Sequence, residues 1–281
     1  MSMTFGAGDP FLDALLSFES GIDPARGPQY AAGFDVPSLE YWKVRETGVL
    51  WRDMRTGRAA KEVISYAEYF RRLGYPLTRH QLTPEWLGLA RYHAINPWGF
   101  VGFQLGEAAL IDAGHYLPKI VFHEGRPIAS YYTGTLTDAT WANGVESTVY
   151  FPSNHDAPIM ATNRNRWEGS FTGKDGVCCF EDLLSPSRQR RVMTSIITRN
   201  LLSLEDLIRK AGSSPAEIVR QRGVTITGCA AACHLVGTYG TFRMLMTGKD
   251  ATDEIGTSAS MYCIHFGKFQ AGAWLEASRW I

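Results

Sequence analysis

The stretch LLSFESGIDPAR (residues 15–26) puts one carboxylate, Glu19, where an apolar helix runs out. Leu15, Leu16 and Phe18 head into a core, and Ser20, Gly21, Asp23 and Pro24 turn the chain directly afterwards. A carboxyl group there meets the negative end of the helix macrodipole in a low dielectric, and both favour its protonated form. A protonated acid near neutral pH is what cleavage of a glycosidic bond requires, because the leaving oxygen must take up a proton. The same position also suits a surface acid, or one that bonds an amide of the following turn. Two further carboxylates could serve as a second acid–base group: Glu107, which opens EAALI, and Asp175, in TGKDG. A charge at a helix N-terminus explains the first, and a turn explains the second, without catalysis. Tyr131, Tyr132 and Trp167 carry rings that either stack on sugars or fill a core.

Other chemistries have thinner support. Cys229 and Cys233 stand four apart with His234 beside them, an imitation of a metal site, but no second cluster at zinc-ligand spacing accompanies them. Small core residues are the simpler reading, and no metal or organic cofactor is expected. His155 and Asp156 in SNHDAP are possible ligands or merely a polar loop. No H-E-x-x-H pair points to a zinc amidase. Cys178 and Cys233, the thiols a cysteine peptidase would use, sit in patterns of helix cap and core.

The elements that must hold these residues read as mostly helical. DPFLDALLSFE has apolar residues at helical spacing, with Asp9 as N-cap and Pro10 at the first helical position; Gly21 and Pro24 end it. From about 27 to 92, SLEYWKVRETGVLW, AAKEVISYAEYFRRLG and TPEWLGLARYHA are charged and amphipathic, and two to four helices are expected. EAALIDAG predicts a short helix closed by Gly114. Residues 121–170 mix turns with short β-like runs, suiting a small sheet, an insertion or a loop over a groove. Helical period returns in CFEDLLSPSRQRRVMTSIITRNLLSLEDLIRKAG, in the small-residue run GVTITGCAAACHLVGTYGTFRMLMTG, and in ASMYCIHFGKFQ near the end.

Bulk properties bound the reading. The 281 residues suffice for a sizeable core, and 45% hydrophobic against 20% charged residues is a globular balance. With 28 basic and 28 acidic side chains there is no net charge to favour nucleic acid. Five cysteines, an odd number, fit synthesis in a reducing compartment. The opening MSMTFGAGDPF lacks a basic and an apolar region, and no run is long enough to span a bilayer. The expectation is a soluble protein made in the cytoplasm without a classical signal peptide.

Taken in order, four segments resemble the lysozyme-like superfamily. FESGIDPA (residues 18–25) is similar to the ES-G-N-P-A signature of lytic transglycosylases and goose-type lysozymes. The resemblance makes Glu19 the catalytic acid, with Ser20 as its neighbour. NPWGFVGFQLGEAALIDAGHY (96–116) resembles the glutamine motif of bacterial and phage peptidoglycan-degrading proteins, with Gln104 as the glutamine that holds the glycan. WEGSFTGKDGV (167–177) and AAACHLVGTYG (230–240) resemble later segments; the second stands where relatives have AAYNAG beside the substrate, which brings in His234. In those relatives the glutamate and glutamine motifs lie close together, whereas here 85 positions separate them. Residues 27–92 then read as a helical insertion within one catalytic domain spanning 1–281.

The resemblance implies a mainly α (α+β) lysozyme-like fold with a small β-containing region. The implied activity is cleavage of peptidoglycan between N-acetylmuramic acid and N-acetylglucosamine. Substrate-binding residues would be Ser20, Gln104, Glu107, Tyr131, Tyr132, Trp167, Asp175 and His234. A chitinase-like glycosidase on the same fold and a non-catalytic peptidoglycan binder remain alternatives. A wall-degrading enzyme without a signal peptide must reach the periplasm of a target cell by lysis, on a phage tail or through a secretion machine. An injected effector would have an immunity protein as partner.

Overall fold

The computed structural model describes residues 9–44, 51, 59–133, 149–151, 158–253 and 256–270. Helices dominate and small sheets accompany them, an α+β architecture. The chain divides into two compact units, one from residues 1–15 and 190–281, the other from residues 16–189.

In the first unit, helix α7 (Pro186–Lys210), most of which lies here, buries Val192, Ile196, Leu201 and Ile208 along one stripe. The small-residue run folds as α9 (Ile226–Thr247), whose Cys229 to Cys233 segment is fully enclosed. Small side chains let α10 (Ala259–Phe266) approach closely: a Cβ on Gly228 would stand 2.6 Å from the Cys263 carbonyl. Gly237, at φ 71° and ψ 168°, breaks the helical path inside α9 and so acts as a kink. Among the described residues no helix is long and apolar enough to cross a membrane.

The second unit begins in α1 (Pro10–Ser20), which starts as its sequence indicates. Asp9 Oδ1 accepts the amides of Phe11 and Leu12 at 2.9 and 3.2 Å. Residues 27–94 then supply α2 (Gly27–Ala32), α3 (Tyr66–Arg72) and α4 (Pro84–His93). They also form a hairpin of β1 (Leu39–Trp42) and β2 (Lys61–Ile64), where a helix was expected. Ser65 decides the second boundary: its hydroxyl accepts the Glu68 amide and starts α3, leaving Lys61–Ile64 to pair with β1, where Lys61 bonds Glu40 at 3.0 Å. These pieces share one apolar cluster, whose buried members among the described residues lie between 22 and 94 and include Tyr30, Phe70, Leu73 and Leu87.

After α5 (Glu107–Asp112) come β3 (Tyr116–Leu117), β4 (Lys119–His123), β5 (Arg126–Tyr131), β6 (Val149–Phe151), β7 (Ile159–Ala161) and β8 (Ser170–Phe171). A four-stranded sheet runs β4-β5-β7-β6, with β5 and β7 parallel and the other neighbours antiparallel. Glu124 and Gly125, both at positive φ, make the tight turn between β4 and β5. The described residues within 121–170 therefore include the strands of a small sheet. The short α6 (Phe180–Leu183) and the start of α7 complete the unit, and α8 (Pro215–Arg222) belongs to the first.

Phe70 is fully buried, with its ring edge-on to Tyr30 at 5.6 Å. Phe70→Ala is expected to destabilise the fold by about 3–5 kcal/mol, as large-to-small changes of core rings do. A urea midpoint that does not move would contradict the assignment of this cluster as a core.

Candidate active site

The end of α1 is built by side chains from far along the chain. A helix leaves its last carbonyls without intrahelical partners, and α1 has no basic side chain in its last turn to cover them. Gln104 Nε2 donates to the Glu19 carbonyl at 2.7 Å, and the Tyr69 hydroxyl donates to the Ser20 carbonyl at 3.4 Å. Ser20 is buried, and its hydroxyl accepts the Ile22 amide at 3.2 Å, closing the turn in which Gly21 adopts φ 68°. Arg91 Nη1 donates to the Ser17 hydroxyl at 2.9 Å on the preceding turn. Glu19 itself is half-buried, next to an exposed Phe18. The glutamate and glutamine motifs, 85 residues apart, are thus joined by a direct hydrogen bond.

Gln104 is held on a three-residue turn. Val101 and Leu105 exchange backbone hydrogen bonds of 3.0 and 2.9 Å around Gly102, Phe103 and Gln104. Gly102 (φ 56°) has Gln189 so near that a Cβ would lie 1.9 Å from its Oε1. Gln104 sits at φ 57°, a region that non-glycine residues seldom occupy unless their surroundings impose it. Asn96 completes the arrangement: its Nδ2 donates to Gln104 Oε1 at 2.6 Å, and its Oδ1 accepts the amides of Trp98 and Phe100. The Gln104 amide is therefore oriented at both ends, with its NH2 committed to Glu19. Asn96 was visible in the sequence only as the first residue of the segment that resembles the glutamine motif, not as the group that orients Gln104.

Glu107 ties three segments together. It is 2% exposed; Oε1 accepts the Trp167 amide at 2.8 Å and the Tyr116 hydroxyl at 3.4 Å, and Oε2 accepts the Tyr132 amide at 3.0 Å. Its own amide donates to Asn165 Oδ1 at 2.7 Å, and Asn165 Nδ2 donates to the Trp98 carbonyl. Burial pushes the Tyr116 hydroxyl up to about 12, which keeps it a donor. Tyr132 is 2% exposed and edge-on to Phe100 at 5.7 Å, so its ring lies in the core. Tyr131 is half-buried at the end of β5.

A cavity of about 1260 Å3 opens in this unit. Asn96 and Asn165 line it, with Trp167 and Phe180 as an aromatic wall and four arginines, Arg71, Arg72, Arg164 and Arg166. Trp167 is fixed by its indole N–H bond to the Gly99 carbonyl at 2.9 Å and by a backbone at φ 57°. Of the residues singled out in the sequence, Trp167 alone is part of this lining.

The remaining candidates lie elsewhere. Asp175 bonds His115 Nε2 at 2.7 Å; burial pushes that imidazole below its ordinary value, so it is neutral near pH 7 and holds a turn. His234 is on α9 in the first unit, half-buried. Cys233 beside it is pushed up to about 12 by burial, a thiol rather than a nucleophilic thiolate. Among the described residues no group of three or more His, Cys, Asp or Glu side chains is placed to hold a metal. His155 and Asp156 lie outside the described residues. Comparison with protein-family models, with curated proteins and with solved structures finds no match to this chain.

Burial pushes the Glu107 carboxyl above the usual carboxylate range, against the pull of its amide donors. A carboxyl raised on folding contributes stability that is complete below its unfolded value of about 4.3 and is lost as pH rises through the folded value. Glu107→Gln cannot titrate. Wild-type unfolding free energy is expected to fall relative to that of Glu107→Gln as pH rises from about 4 through the folded value. A difference that stays constant or grows over that range would contradict the assignment.

Proposed function

We propose that this protein is a lysozyme-like glycosidase that cuts the glycan strand of bacterial peptidoglycan between N-acetylmuramic acid and N-acetylglucosamine. The observation that carries the reading is the hydrogen bond from Gln104 to the Glu19 carbonyl, which joins two motifs that are neighbours in the resembled superfamily. On this reading residues 27–92 are an insertion between them, with Tyr69 bracing the turn after Glu19. Glu19 acts as general acid. Its proton passes to the glycosidic oxygen as the C1–O bond breaks, and that bond's electron pair stays with the departing oxygen.

The positive charge left on the sugar must then be quenched. Both candidate second carboxylates are engaged: Glu107 with Trp167, Tyr132 and Tyr116, Asp175 with His115. This favours capture by the sugar's own C6 hydroxyl over attack by a carboxylate-activated water. The product is then a 1,6-anhydro sugar, and the hydroxyl proton returns to Glu19. Peptidoglycan is the partner the site would meet. The delivery route that goes with this reading is that of an antibacterial effector carried to a target periplasm, with an immunity protein in the producing cell; the odd number of cysteines fits synthesis in a reducing compartment.

Digesting purified peptidoglycan and weighing the products tests this reading. Muropeptides lighter than the hydrolytic ones by one water are expected, and Glu19→Gln is expected to lower the rate by about 100- to 10,000-fold while leaving the fold intact. Undiminished cleavage by the folded Glu19→Gln variant would sink the reading. Toxicity is expected only when the chain is exported to the periplasm of a test bacterium.

A further inference from the structure

We propose that the arginine-lined cavity is a seat for the carboxylates of the strand's stem peptide, so that the enzyme selects peptide-bearing glycan over bare glycan. The inference rests on the glycan-strand reading above and adds a second recognition element to it. In a peptide-bearing strand the lactyl carboxyl of the muramic acid is tied up in the amide to the peptide, so the sugars themselves give no reason for a cavity that gathers Arg71, Arg72, Arg164 and Arg166. The stem peptide is the part of the polymer that brings several free carboxylates to each disaccharide. A guanidinium fork matches a carboxylate in two parallel hydrogen bonds, which a simple point charge does not.

Three features fit that occupant. The volume, about 1260 Å3, exceeds the 300–1,000 Å3 or so that holds a drug-sized ligand and suits a disaccharide with part of its peptide. Two of the arginines are pre-set: Arg71 and Arg72 each bond Glu68 at 2.6 Å, and Arg72 also bonds Glu62 at 2.9 Å, so less side-chain freedom is lost when a ligand arrives. The Trp167 and Phe180 rings, 5.3 Å apart, offer an apolar wall for a sugar face or an alanine methyl. Glu168, the carboxylate in the lining, is turned to Lys119 at 2.8 Å.

The seat is also connected to the cutting end. Asn96 lines the cavity and bonds Gln104, which bonds the Glu19 carbonyl. A ligand resting on Asn96 is therefore two hydrogen bonds from the end of α1, and the order of those groups would register the strand against the acid.

The test is calorimetric titration of the full chain with soluble probes: the disaccharide with its tetrapeptide, the same disaccharide without peptide and with its lactyl carboxyl amidated, and the tetrapeptide form with its carboxylates amidated. The wild type is expected to bind the first at least about tenfold more tightly than the other two, and Arg164→Gln combined with Arg166→Gln to erase that difference. Equal affinity of the wild type for all three would overturn the proposal, and this arm needs no variant. A preference that survives in the folded double variant, or displacement of the peptide form by inorganic phosphate at similar concentration, would overturn it too. The preference without cleavage would sink the glycosidase reading and leave the seat standing. Cleavage without the preference would do the converse.

Discussion

The arrangement depends on how one helix end is satisfied. The final carbonyls of α1 have no partners of their own, and leaving such groups buried and unbonded costs about 1–3 kcal/mol each. The Gln104 side chain covers the Glu19 carbonyl, and the turn around Gly102, with Asn96 behind it, fixes that side chain. The backbone of Glu19 is therefore held in place from outside its own helix. Fixing a reacting group within a fraction of an ångström is worth more in rate than most single contacts with substrate.

This changes what the glutamine motif does. The resemblance assigns Gln104 to the glycan, yet its NH2 is directed to α1 and its carbonyl oxygen to Asn96. In the structure the glutamine braces the end of α1, and under the proposed function any hold on sugar is shared with that duty. Glu107 has a parallel role: its carboxylate accepts from Tyr116, Tyr132 and Trp167, the last of which lines the cavity. Two side chains that look functional in the sequence are in this sense builders of the site.

What the sequence made legible was whatever rests on local signals. The Asp9 cap and Pro10 start α1, Gly114 follows the end of α5, and the turn-rich middle is a small sheet. The meeting of Glu19 with Gln104 was expected only through the resemblance, which makes the two motifs neighbours, and no local signal in the chain announced it. The β1–β2 hairpin was not legible, since Glu40, Lys61 and Glu62 read as helix formers until a partner strand pairs with them. Nor was the cavity, because Arg71 and Arg72 stand more than ninety positions before Arg164 and Arg166 and nothing local announces that they meet. Tyr132 illustrates the limit for aromatic residues: a ring suited to sugar stacking is equally suited to a core, and burial alone decides.

The central claim is that Gln104 acts on the acid and not chiefly on the substrate, and steady-state kinetics of Gln104→Ala on soluble glycan strands test it most directly. If Gln104 braces the end of α1, the variant will lose kcat by about tenfold or more while KM stays close to the wild-type value. A raised KM with kcat preserved would contradict the account. It would make Gln104 a ligand of the glycan and leave its bond to the Glu19 carbonyl without a part in catalysis.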